Sequence, residues 1–248
     1  MEILGQTSIQ AIVLIVIYSI TGVVPLIAAL YLLLRRGNAF APDTTPPVRL
    51  RRWATAFFAV AALGHVWWFL LFVFSGDIRS VHSIGYLAAA VLDYVTMLPT
   101  IAGTLLAMLQ DRRRPMWPVI VAMIPIVALG GVLMANPNER LMLLADAYIV
   151  SCYVLFAVYV AFAVRQYGRW LRDNYADLEH KEVWQSLAFA IVLFVIYAVY
   201  TSNMGEIARE YLSQVISIVI IGFFVWRVET LQELPSEEDM ANGSLLQK

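Results

Sequence analysis

The sequence predicts an all-α fold, an integral membrane bundle of seven transmembrane helices with the N-terminus outside and the C-terminus cytoplasmic. Three observations carry that expectation. Seven apolar stretches reach the ~18 residues needed to cross a hydrocarbon core. With 61% hydrophobic and 14% charged residues, the chain lacks the polar surface to cover a soluble domain. The basic residues are also strongly sided: fourteen of the seventeen fall in connections after odd spans or beyond the last, and only Arg79, Arg140 and Arg209 fall on the other side. By the positive-inside rule this asymmetry sets the orientation.

The spans are expected at 8–34, 53–75, 84–109, 117–135, 141–164, 184–203 and 210–227. No Lys or Arg precedes Arg35, so the first span reads as retained rather than as a cleaved signal. Pro42, Pro46 and Pro47 mark an irregular first inner connection. Pro25, Pro99 and Pro125 lie inside spans, where each removes a backbone donor and favours a kink. In the third inner connection, Leu171, Tyr175 and Leu178 recur at helical spacing, which suggests an extension of the fifth helix or a helix on the membrane surface. Trp117, Trp170, Trp184 and Trp226 sit at inner span ends, as an interfacial aromatic belt would. Two parts result: a transmembrane domain over 1–228 and an acidic cytoplasmic tail or linker over 229–248, with Glu229, Glu233, Glu237, Glu238 and Asp239. The single cysteine, Cys152, cannot form an internal disulfide.

Ionisable groups at membrane depth are costly unless they meet a partner, water or a ligand, so each is a candidate site. His65, Asp93 and Asp146 qualify, each roughly 8 to 15 Å below its outer span end at 1.5 Å rise per residue. Tyr86, Thr96 and Thr100 share the Asp93 face of the third span, and Tyr153 follows Asp146 by two turns. Tyr18, Tyr197, Tyr200, Ser213, Gln214 and Ser217 lie at compatible depths. The expected ligand-binding set is His65, Asp93, Thr96, Asp146, Tyr153 and Tyr197, around an outward-opening polar pocket. The alternative is that these groups serve only as interhelical hydrogen bonds.

Enzymatic readings find little support. Three histidines in all, His180 among them in an inner loop, do not make a hydrolytic zinc site. The last span has no lysine for a retinal Schiff base, and neither a G-x-S-x-G elbow nor a phosphate-binding glycine loop occurs. No catalytic activity, cofactor or metal is expected.

The stretch RQYGRWLRDNYADLEHKEVWQSL, Arg165 to Leu187, and the segment VWRVETLQELP, Val225 to Pro235, resemble the multi-span membrane region of bacterial membrane-bound regulators that carry an AraC-type helix-turn-helix domain. The likeness extends in layout over all the spans. It implies the sensory input module of a transcription regulator in the bacterial cytoplasmic (inner) membrane. No helix-turn-helix pair follows before Lys248, so the expected partners are the lipid bilayer and a small molecule from the outer side, without direct nucleic-acid contact; homodimerisation is left open. A small transporter or channel-like protein using Asp93 and Asp146 as a relay is the alternative. The signalling reading also expects rigid helical extensions over 165–182 and 225–233.

Overall fold

The structure, a computed structural model, describes residues 2–35, 37–39, 42, 45–75, 84–185, 188, 192 and 206–235. Six helices account for most of them: α1 Glu2–Leu34, α2 Val48–Ser75, α3 Ile84–Ala107, α4 Trp117–Ala135, α5 Glu139–Asn174 and α6 Glu206–Thr230. There is no strand among the described residues, and all six helices are long and apolar enough to cross a membrane. They match six of the seven expected spans. Most of the remaining one, 184–203, and Tyr197 with it, lies outside the described residues.

Local signals explain several boundaries. The Asn138 side chain accepts hydrogen bonds from Arg140 N at 2.9 Å and Leu141 N at 3.4 Å, satisfying two amides that the first turn of α5 leaves without carbonyl partners. Glu139 in the same turn complements the helix dipole. Pro118 opens α4, where a missing N–H costs nothing. With 36 residues, α5 is roughly 54 Å long and runs well past a ~30 Å hydrocarbon layer.

The helices pack in sequence, α1 on α2, α2 on α3, α3 on α4 and α4 on α5, while α6 returns against α1 and α2. Many apolar side chains point away from the bundle, among them Ile15, Leu143, Leu155 and Phe162. That is the surface of a multi-pass membrane protein, in which lipid covers what water could not. The main core gathers towards the arginine-rich end, from Ala28 and Leu32 of α1 through Leu50, Phe57 and Phe58 of α2 and Leu106 of α3 to Val160 and Tyr167 of α5 and Phe224 of α6. It continues past the helix into Leu231 and Leu234, so burial does not stop at 228. Close backbone approach helps: a Cβ on Gly103 of α3 would collide with the Trp53 ring of α2. A smaller cluster, Met123, Ile126 and Ile149, joins α4 to α5 and receives Tyr94, Tyr148 and Tyr153.

The continuous helical extensions expected over 165–182 and 225–233 are corrected: α5 ends at Asn174 and α6 at Thr230. Side-chain and tertiary hydrogen bonds compete with the helical pattern. The Asp177 carboxylate accepts from Glu179 N at 2.9 Å and holds a turn. Within that turn His180 adopts φ 59°, a left-handed conformation. Leu231 N still donates to Arg227 O of its own helix at 3.0 Å, but from Gln232 onward the backbone finds partners in three other connections.

Candidate functional site

The expected polar layer resolves into three separate groups. His65 of α2 faces α1, and through Thr21 of α1 it is linked to α6. Its Nδ1 stands 2.9 Å from the Ala61 carbonyl oxygen, so Nδ1 carries a proton, because a carbonyl can only accept. Its Nε2 is 3.1 Å from Thr21 Oγ1, and the Thr21 hydroxyl is in short contact with Gln214 Oε1. Tyr18 OH donates to the His65 carbonyl at 2.9 Å, with the two rings 4.8 Å apart. Gly22 makes the fit: a Cβ there would stand 3.3 Å from His65 Cβ and Cγ. Thr21 and Gln214 are 0% and 7% exposed, so this chain of polar atoms is shut off from lipid.

Asp93 of α3 faces α2. Trp67 Nε1 donates to its Oδ1 at 3.0 Å and Trp68 Nε1 to its Oδ2 at 2.6 Å. Neighbouring tryptophans on one helix thus take one carboxylate oxygen each, in charge-assisted bonds worth about 1.5–3 kcal/mol apiece. The Trp68 ring packs edge-on against Tyr86 at 5.4 Å. Thr96 does not turn to the carboxylate; its hydroxyl donates to Leu92 O at 2.6 Å, and Thr100 and Thr104 likewise bond carbonyls of their own helix.

Asp146 lies elsewhere, on the rim of a cleft of about 190 Å³ between α3, α4 and α5, with Tyr86, Tyr94 and Tyr148 among its lining residues. Tyr86 therefore touches both the Asp93 group and this cleft. Tyr153 packs on the small α4–α5 cluster. Of the six expected site residues, then, His65 is on α2 and Asp93 on α3 is bonded to the Trp67–Trp68 pair of the same α2, Thr96 is bonded within α3, Asp146 and Tyr153 belong to the α5 side, and Tyr197 is outside the described residues. No group of three or more metal-ligating side chains occurs among the described residues.

The densest polar construction is at the arginine-rich end and was not expected. The segment 231–235 leaves α6 and is bound by three different connections. Gln232 N donates to His180 O at 2.8 Å, and Glu233 N donates to Thr45 O at 2.8 Å. The Gln110 amide grips the segment twice, with Nε2 donating to Gln232 O at 2.8 Å and Oε1 accepting from Leu234 N at 2.8 Å. Around it, Tyr167 OH donates to Lys181 O at 3.0 Å and Arg227 Nη2 to Glu182 O at 2.6 Å. Arg114 and Asp111 form a buried two-pronged pair at 2.6 and 2.9 Å, and Arg49 Nη2 reaches Arg114 O at 3.3 Å. Carbonyls such as Thr45 O and His180 O have no sequence signature, which is why the sequence pointed only to a linker here. Thr21 had a signal, since it follows Tyr18 by one helical turn.

Among the described residues, six helices long and apolar enough to cross a membrane, with three polar groups among them and a hydrogen-bonded clasp at the arginine-rich end, define a helical multi-pass membrane protein. No protein-family model matches the chain, and neither curated proteins nor solved structures give a match.

Proposed function

We propose that the chain is the seven-span sensory input module of a membrane-bound transcription regulator in the bacterial cytoplasmic membrane, with the arginine-rich end inside. The observation that carries this reading is the clasp on 231–235. An input module must convert a rearrangement among its helices into a change at the point where the chain leaves the membrane. Here that point is tied to the connections after α1, α3 and α5 through Thr45, Gln110 and His180. A shift of any one of those helices at this end strains a bond to the exit segment. A transporter would need a polar route across the bundle. The main apolar cluster fills the arginine-rich half, and Asp93 is not among the residues lining the Asp146 cleft, so the two carboxylates do not make an adjacent relay.

The test is to place a dimerisation-dependent DNA-binding reporter domain after Pro235 and compare Gln110→Ala with Arg140→Gln, an exposed control at the opposite end. At matched membrane levels, Gln110→Ala should change reporter output and Arg140→Gln should not. Equal output from both would overturn the reading, and net solute uptake by the purified chain in liposomes would replace it with a transporter.

A further inference from the structure

We propose that His65, Thr21 and Gln214 form a proton-binding site joining α1, α2 and α6, in which one added proton reverses the direction of the whole hydrogen-bond chain. As the stimulus of the bundle, this proton rests on the input-module reading above; as a site, it rests on the geometry alone.

The argument is a count of protons against acceptors. Nδ1 of His65 is committed to Ala61 O in every state. Thr21 has one hydroxyl proton, and its oxygen stands against His65 Nε2, Gln214 Oε1 and the carbonyls of Ile17 and Tyr18. With a neutral imidazole, Nε2 is an acceptor and takes the Thr21 proton. The Gln214 carbonyl oxygen would then face the lone pairs of the Thr21 oxygen, and the amide must rotate by half a turn so that its NH₂ donates to Thr21. With the imidazolium, Nε2–H donates to Thr21 Oγ1, Thr21 donates to Gln214 Oε1, and Gln214 Nε2 donates to Ser213 Oγ at 3.4 Å. Gln214 Oε1, the amide atom placed against Thr21, is the acceptor that the second arrangement uses. Oxygen and nitrogen of a primary amide are isosteric, so one cage accepts both.

The balance of the step is simple. A proton from water on the outer side forms the Nε2–H bond; the Thr21 hydroxyl turns from Nε2 to Gln214, and the Gln214 amide rotates by half a turn, exchanging its NH₂ bond to Thr21 for one to Ser213; no covalent bond besides Nε2–H changes. Histidine is the side chain suited to such a change near neutral pH. The titratable groups facing His65 are Tyr18 from α1 and Asp93 from α3, the latter held by Trp67 and Trp68 of His65's own helix. From α6 come Gln214 and Ser213, neither titratable, with Tyr211 a turn away. An imidazolium here has a carboxylate nearby and no described Lys or Arg bonded to it. Gln214 lies on the helix whose end, roughly 24 Å further along at 1.5 Å per residue, becomes the clasped segment.

The experiment uses the full chain in lipid nanodiscs, labelled with ¹⁵N in histidine and in the glutamine side chains, with His65→Gln and Gln214→Leu to assign the signals. Across roughly pH 4 to 9, Nδ1 of His65 should stay protonated, Nε2 should gain a proton, and the Gln214 NH₂ signals should move with the same midpoint. Thr21→Val should abolish the coupled movement of the Gln214 signals, because it removes the hydroxyl that joins the two side chains. Thr21→Ser should restore it. A His65 that takes up no proton, or Gln214 signals that stay fixed when it does, overturns the site. A distance measured between spin labels at Glu233→Cys and Arg113→Cys, with Cys152 replaced, reads the other end. If His65 titrates as described while that distance is independent of pH, the site stands and the input-module reading falls.

Discussion

The side-chain amide of Gln110 closes a two-bond ring on the backbone of Gln232 and Leu234, giving a proton to one and taking one from the other, both at 2.8 Å. Only an uncharged amide offers a donor and an acceptor side by side in this way. Replacing Gln110 by Ala should therefore free the Leu234 amide locally, at a cost of about 1–3 kcal/mol. Glu at this position keeps the acceptor and loses the donor, and its effect should be smaller. Hydrogen exchange at Leu234 is the measurement: protection should fall by at least tenfold in Gln110→Ala, while helix α3 remains protected.

Asp111 and Arg114 illustrate a second dependence. Their side chains are 5% and 2% exposed, and each is the other's counter-charge. Asp111→Asn leaves a buried guanidinium unpaired and should cost about 3–5 kcal/mol, whereas replacing both by Leu should cost far less. Thermal unfolding in detergent of Asp111→Asn and of the double Leu variant would check the difference.

The turn at 177–181 aims the His180 carbonyl at Gln232 N and depends on His180 holding φ 59°. Glycine adopts that conformation freely and a β-branched residue does not, so His180→Gly should retain the Gln232 bond and His180→Val should lose it. The same turn responds to pH. The amide of Glu179 and the ammonium of Lys181 bind the Asp177 carboxylate and hold its pKa below the usual carboxylate range. A depressed folded-state pKa gives stability that is present above the unfolded value and is lost as pH falls through the folded one. The protection factor of the Glu179 amide, the ratio of its intrinsic to its observed exchange rate at each pH, should therefore fall under acid conditions, and Asp177→Asn should remove that dependence.

Gly103 lets Trp53 lie directly on α3. Gly103→Leu should force the two helices apart, cost about 1–3 kcal/mol through overpacking and so lower the unfolding temperature. Gly131, with open space around it, should accept Ala without loss.

Orientation can be read with an impermeant thiol reagent on intact cells, with Cys152 replaced. A cysteine at Asn174, exposed on the arginine-rich end, should escape labelling, and one at Asn138 should be labelled. The reverse pattern would invert the topology.

Length, apolarity and charge sidedness determined the helices from the sequence alone. The expectation of 117–135 coincides with α4, and α1, α2, α3, α5 and α6 differ from theirs by a few residues at most ends, because hydrocarbon thickness sets a span's length whatever it packs against. The sequence also marked His65, Asp93 and Asp146, since charge at membrane depth is costly in any fold. What it could not assign is which neighbour each would meet. Nothing in the sequence ties Trp67 and Trp68 to Asp93; both indoles reach its carboxylate only because α2 and α3 lie side by side. The ends of α5 and α6, and the clasp on 231–235, were decided by tertiary structure. Their hydrogen bonds run to backbone carbonyls and one glutamine far away in the chain, and such partners exist only once the helices have brought their connections together.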